Sequence, residues 1–89
     1  MKVFLLDGKD MTSLDAAYDV ISRELSLPEY FGRNLDALYD CLTELSSEGT
    51  VIFVNTAILE ENLPEKADAI LDCFRDAAME VGFSLREKR

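Results

Sequence analysis

Asp36 and Asp40 stand four residues apart in the run Asn34-Leu35-Asp36-Ala37-Leu38-Tyr39-Asp40-Cys41-Leu42. On a helix this spacing places both carboxylates on one face. Paired carboxylates can run acid/base chemistry or hold a metal. Here they have no third ligand beside them, and Gly8 in Leu5-Leu6-Asp7-Gly8-Lys9 lacks the partner glycines of a phosphate loop. The chain contains no His. That removes the Ser-His-Asp and Cys-His nucleophile systems, the commonest general base and the commonest metal ligand. Cys41 and Cys73 are too few for a zinc site, which needs about four ligands. Both lie in apolar-periodic segments, where a reduced cysteine acts as a small hydrophobe. The sequence therefore predicts no catalytic residues, no metal and no cofactor, and leaves the carboxylates for binding.

Leu35, Leu38, Leu42 and Leu45 form the buried stripe of a helix over about 35–45, with Asn34 a good N-cap. Arg33, Asp36, Ala37, Asp40 and Glu44 fall on the other side. A like-charge i,i+4 pair costs a helix a few tenths of a kcal/mol. Asp36 is excused by the helix dipole, which favours acids in the first turn. Asp40 has no such excuse: it is mid-helix and a mediocre helix former. Tyr39 lies on the flank of the acidic face and Tyr30 just before the helix. Tyrosines beside acids suit a protein-binding patch. The plain alternative is a solvated acidic face with half-buried packing tyrosines.

Charge favours the binding reading. Lys and Arg number 9 against 18 Asp and Glu, a net −9. Phosphates would be repelled, so nucleic acid and anionic membranes are disfavoured and a basic partner is favoured. From Asn34 to Glu65 there is no Lys or Arg, while Asp36, Asp40, Glu44, Glu48, Glu60, Glu61 and Glu65 supply seven acids. Asp68, Asp72 and Asp76 add a second stripe at i,i+4 spacing, partly relieved by Lys66 and Arg75.

These side chains need a scaffold. Eighty-nine residues allow one domain over 1–89, hiding roughly 60–65% of its unfolded surface. Val3-Phe4-Leu5-Leu6, ended by Asp7-Gly8, reads as a strand over 2–6 buried on both faces. Thr12 and Asp15 suggest a capping box opening a helix over 13–25, which Leu27-Pro28 ends. Thr50-Val51-Ile52-Phe53-Val54 reads as a central strand over 50–55. Residues 55–63 read as irregular or a short helix. Pro64 suits the first position of the last helix and Gly82 its C-cap. Phe83-Ser84-Leu85 begins a final strand over 83–86. Strands alternating with helices predict an α/β fold, a three-stranded parallel sheet with helices packed on it and right-handed crossovers.

At residues 27–42 the run Leu-Pro-Glu-Tyr-Phe-Gly-Arg-Asn-Leu-Asp-Ala-Leu-Tyr-Asp-Cys-Leu strongly resembles the barstar family, intracellular inhibitors of barnase-type secreted ribonucleases. The likeness extends more weakly along the whole chain, with Cys73-Phe74-Arg75-Asp76-Ala77 echoing a family segment. The resemblance implies that helix two and the turn before it plug the ribonuclease active site. It implies that Asp40 takes the place of a substrate phosphate. It also implies that Tyr30, Gly32, Asn34, Asp36, Tyr39, Thr43 and Asp76 belong to the same partner-binding surface. The chain departs from the family at Tyr39 and Leu45, where barstar has Trp, at Phe31 for Tyr, at Asp76 for Glu, and at Arg33 for an acid. Arg33 should weaken attraction to a basic enzyme.

The expectation is a cytoplasmic ribonuclease inhibitor, an immunity or antitoxin-like protein that is monomeric when free and binds a basic, barnase-like ribonuclease. The alternative keeps the fold and binds a different basic protein. The apolar run Val3 to Leu6 is too short for a signal segment, and no stretch approaches the roughly 20 apolar residues of a membrane helix.

Overall fold

The computed structural model describes residues 2–29, 31–45 and 47–89. Strand β1 (Val3–Asp7) leads through a 3-10 turn (Gly8–Asp10) into α1 (Leu14–Leu25) and α2 (Leu35–Leu42). Strand β2 (Thr50–Val54) follows, then α3 (Thr56–Asn62), α4 (Ala67–Val81) and β3 (Ser84–Glu87). The three strands form one parallel sheet in the order β1-β2-β3. Leu6 pairs in register with Phe53, and Phe53 with Glu87. The α/β class and the parallel sheet agree with the sequence reading.

Local chemistry explains the boundaries. Ser13, not Thr12, caps α1: its hydroxyl accepts from the Ala16 N–H at 3.0 Å. Helix α1 closes at Ser26, a non-glycine residue in the left-handed region, and the Leu27 N–H reaches back to the Ser22 carbonyl at 2.9 Å. The expected helix over 35–45 is α-helical only to Leu42. Beyond it the Glu44 and Leu45 N–H groups bond three residues back, to Cys41 and Leu42, so the last turn tightens. Pro64 precedes α4 by a turn instead of opening it, and Gly82 ends that helix with φ 88° as expected.

The core lies on one side of the sheet. Leu6, Val51 and Phe53 are fully buried there, with Leu38, Leu42, Leu59, Ile70, Leu71 and Phe74 from the helices. The Phe53 and Phe74 rings meet edge to face, centroids 5.5 Å apart. Arg75 of α4 grips Glu87 of β3 through two nitrogens, at 2.6 and 2.8 Å, on this same side.

The other side of the sheet corrects the expectation of strands buried on both faces. Val3 is 57% and Leu5 53% exposed. The cause is strand order. The chain steps from β1 to β2 to β3 in one direction, and right-handed crossovers taken in one direction return over the same face. Both helix pairs are thereby committed to one layer. The molecule measures 30 × 28 × 19 Å, and its short dimension is that of one helix layer on one sheet.

Asp7 ties the ends of β1 and β2 together. Its carboxylate accepts from Asn55 Nδ2 at 2.8 Å and from the Lys9 N–H at 2.9 Å. The Asn55 bond lowers its pKa, partial burial opposes this, and the Lys9 N–H and charge lower it further. A carboxyl depressed in the folded state adds stability above its unfolded pKa and loses it as pH falls through the folded value. Urea melts from pH 6 down to about 2.5 should therefore lose stability below the ordinary aspartate range near 4. Asp7→Asn should be weaker at neutral pH and show a shallower acid-side loss. Equal slopes for the two proteins would refute this role.

Candidate protein-binding site

The turn before α2 is built to hold it outward. Phe31 is buried and packs edge to face on Tyr18 of α1, centroids 5.8 Å apart. Its N–H closes a turn on the Pro28 carbonyl at 2.9 Å. Arg33 takes a left-handed conformation, φ 53°, that turns its side chain back over α1. There it meets Asp19 at 3.0 Å and Asp15 at 3.5 Å, donates to the Asp15 carbonyl at 3.0 Å, and lies 5.9 Å over the Tyr18 ring. Asn34 then caps α2: its Oδ1 accepts from the Ala37 N–H at 2.8 Å and its Nδ2 donates to the Gly32 carbonyl at 3.2 Å.

Helix α2 packs mainly against α4, with Leu38 and Leu42 fully buried. Asp36 and Asp40 are exposed, as the leucine stripe requires, and neither has an ion-pair partner among the described residues. Tyr39 is half-buried against the core. Thr43 sits at the C-cap and its hydroxyl donates to the Asp40 carbonyl at 2.8 Å, closing the helix beneath that residue. Tyr30 lies outside the described residues.

Two thiols, Cys73 buried and Cys41 half-buried, register the negative field. Cys73 of α4 donates to the Leu35 carbonyl at 3.6 Å. Burial pushes its pKa up to about 11, with the nearby charges of Asp76 and Asp36 adding to the shift. Cys41 is raised in the same way, first by burial and then by Glu44 and Asp40. Asp36 on α2 and Asp76 on α4 both act on the Cys73 thiol, and the two helices pack against each other. The sequence suggested both stripes but not their meeting; only the α2–α4 packing provides it. Arg75 bonds Asp72 at 2.9 Å as well as Glu87, so it leaves Asp76 uncompensated. A shallow depression of about 190 Å³ borders Asp40, lined by Pro28, Phe31, Gly32, Ala37, Cys41 and Glu44. Exposed Gly32 forms its rim, and a Cβ there would press on Asn34 Nδ2 at 3.2 Å. Of the expected residues, Asp36, Tyr39 and Asp40 lie on α2, Asp76 on α4 packed against it, Gly32 in the turn before α2, and Asn34 and Thr43 at the two caps of α2.

The expected weakening by Arg33 meets a different arrangement. Its guanidinium is taken up by Asp15 and Asp19 of α1. The acids at i,i+4 on α1 were the sequence signal for this clamp. Among the described residues no three acidic or thiol side chains converge on a point where a metal could sit. Among them also, no helix is long and apolar enough to cross a membrane.

A small α/β fold thus presents an acidic helix beside a shallow depression. Sequence comparison agrees on the lineage. The profile described as "Barstar (barnase inhibitor)" matches residues 1–88. A Bacillus subtilis (strain 168) protein named "Putative ribonuclease inhibitor YrdF" is 33% identical over 82 residues, covering 91% of this chain and 90% of its own. The chain belongs to the barstar family of barnase inhibitors.

Asn34 separates folding from binding at this surface. Its loss removes two hydrogen bonds at the start of α2, so Asn34→Ala should cost about 1 kcal/mol of stability, read by urea titration. Asn34→Asp, which keeps the cap acceptor, should recover most of it. An unaffected Asn34→Ala protein would mean that the cap does not hold α2.

Proposed function

We propose that this protein inhibits a basic, barnase-like ribonuclease by seating α2 and the turn before it in the enzyme's active-site groove. The observation that carries the reading is the set Asp36, Asp40 and Asp76, exposed on two packed helices and without an ion-pair partner among the described residues. A folded protein gains nothing from this arrangement. A groove built to hold phosphates does supply the missing cations. Asp40 stands for a substrate phosphate, with the depression beside it receiving a side chain of the enzyme. Asp36 and Asp76 flank it, and Tyr39 and Tyr30 contribute apolar contact. Thr43 and Asn34 hold the helix ends, and Gly32 keeps the rim low. The inhibitor offers occlusion and charge, with no chemistry of its own. Binding a different basic protein through the same surface is the alternative reading.

Asp40→Ala tests the plug. Its side chain makes no ion pair in the free protein, so the melting temperature should stay about unchanged or rise slightly through relief of Asp36. Truncating a desolvated charge of this kind costs several kcal/mol in the barnase–barstar pair itself, from which that figure is taken. Ribonuclease binding should weaken by two or more orders of magnitude, measured with barnase by calorimetry. Glu61→Ala, exposed on α3 away from this surface, should bind within a few-fold of the native protein. A folded Asp40→Ala protein that also does so removes the plug.

Charge also sets the rate. Net −9 and the 32-residue stretch without a positive charge should steer a cationic enzyme. Screening acts over about 8–10 Å near physiological salt. Stopped-flow association should therefore slow steeply as sodium chloride rises; a flat rate would exclude steering.

A further inference from the structure

The open side of the sheet is the one surface of this fold whose character neither the ribonuclease-binding reading nor the family's description uses. Side chains alternate along each strand, so its composition follows from the register. Across the middle, Leu5, Ile52 and Arg86 stand in a row; Val3, Thr50 and Ser84 stand on one side of it. Beyond the strand end, Lys88 continues the alternation of Ser84 and Arg86, with its N–H still bonded to the Phe53 carbonyl at 2.8 Å. The β1–β2 half is thus apolar and the β3 half cationic.

Those cations are uncompensated in a chain of net −9. Arg23, Arg33, Arg75 and Arg89 all pair with acids. Arg86 and Lys88, like Lys2, Lys9 and Lys66, have no ion-pair partner among the described residues, and these two stand side by side on one strand face. The one acid at this face, Asp7, is held by Asn55 and the Lys9 N–H. Parallel sheets are nearly always covered on both faces, the covering elements being helices. The face spans roughly 10 Å across three strands and 13 Å along them, close to the footprint of two or three turns of a single helix.

We infer that this face docks an acidic amphipathic helix of another protein, its apolar stripe on Val3, Leu5 and Ile52 and its carboxylates along Arg86 and Lys88. A second copy of this chain fits poorly. A two-fold axis across the strands sets Arg86 on its own mate, and one along them sets Arg86 on the other copy's Leu5. The contact is small, so the complex belongs to the transient class. It lies on the opposite layer from α2, so both surfaces can be filled at once, and the inference stands independently of the ribonuclease reading.

The test is an amide NMR titration of the full protein with a helical peptide of about 14 residues, Leu on one face and Glu on its flanks. Shifts should cluster on Val3, Leu5, Ile52, Arg86 and Lys88. Arg86→Glu and Leu5→Ser should each weaken binding at least tenfold, while Asp40→Ala leaves it unchanged. Both altered side chains are exposed at the surface, and circular dichroism checks that the variants stay folded. A matching Leu/Lys peptide should shift α2 and α4 instead. Four outcomes would overturn the inference: no shifts up to millimolar Leu/Glu peptide, shifts confined to the helical layer, an indifferent Arg86→Glu, or self-association in sedimentation that Leu5→Ser abolishes, which would give the face to a second copy.

Discussion

The one-way strand order is the constraint from which the rest of this structure follows. With β2 central and β1 and β3 added in sequence on either side, right-handed crossovers must all return over the same face. Every apolar helix stripe then competes for one side of a three-stranded sheet. That side is too small for four helices. Helix α4 reaches β3, α1 reaches β1, and α2 is left to pack chiefly on α4. A helix displaced to the rim of the layer buries Leu38 and Leu42 fully, half-buries Leu35, Ala37, Tyr39 and Cys41, and keeps Asp36 and Asp40 in water. The acidic surface is thus exposed by topology.

Charge placement completes what topology begins. The two arginines nearest the acidic surface in sequence are both engaged elsewhere: Arg33 by Asp15 and Asp19, Arg75 by Glu87 and Asp72. Exposed pairs of this kind add little to stability, about 0–1 kcal/mol each. Their larger effect is positional. Each removes a cation that could have folded down onto Asp36, Asp40 or Asp76. Arg33 also needs a left-handed backbone to reach α1, a conformation that costs a non-glycine residue something. The contact with the Tyr18 ring and the bond to the Asp15 carbonyl offset that cost.

Much of this was legible in the sequence because local and global signals agree. The leucine spacing placed α2 and turned Asp36 and Asp40 outward; Gly82 and the β-branched run Thr50–Val54 marked a helix end and a strand. Two failures share one cause. Val3-Phe4-Leu5-Leu6 looks like a strand buried twice, since apolar runs carry no information about strand order. Whether Val3 and Leu5 meet helices or water depends on where β2 and β3 lie. That acids of α2 and of α4 both act on Cys73 is invisible for the same reason, being a property of α2–α4 packing. Thr12 against Ser13 as the cap is a different kind of miss: both are good caps in adjacent positions, and only backbone direction chooses between them.

Two surfaces of opposite sign on one small domain raise the question of head-to-tail assembly, in which the acidic helices of one copy meet the cationic strand of the next. Such a heterologous contact closes into a ring only where its rotation divides a full turn and otherwise grows as a fibre. The structure opposes it by separating the two ingredients of affinity. The open sheet face combines charge with an apolar strip, so its complement must present carboxylates and hydrophobic side chains on one surface. Helix α2 presents Asp36 and Asp40 with only the half-buried Tyr39 as apolar surface beside them, because Leu38 and Leu42 face the core. Exposed charge pairs without burial are worth little and are screened by salt. Copies at net −9 also repel before they meet. The leucine stripe that builds the acidic surface therefore also keeps that surface from satisfying the sheet beneath a neighbouring copy.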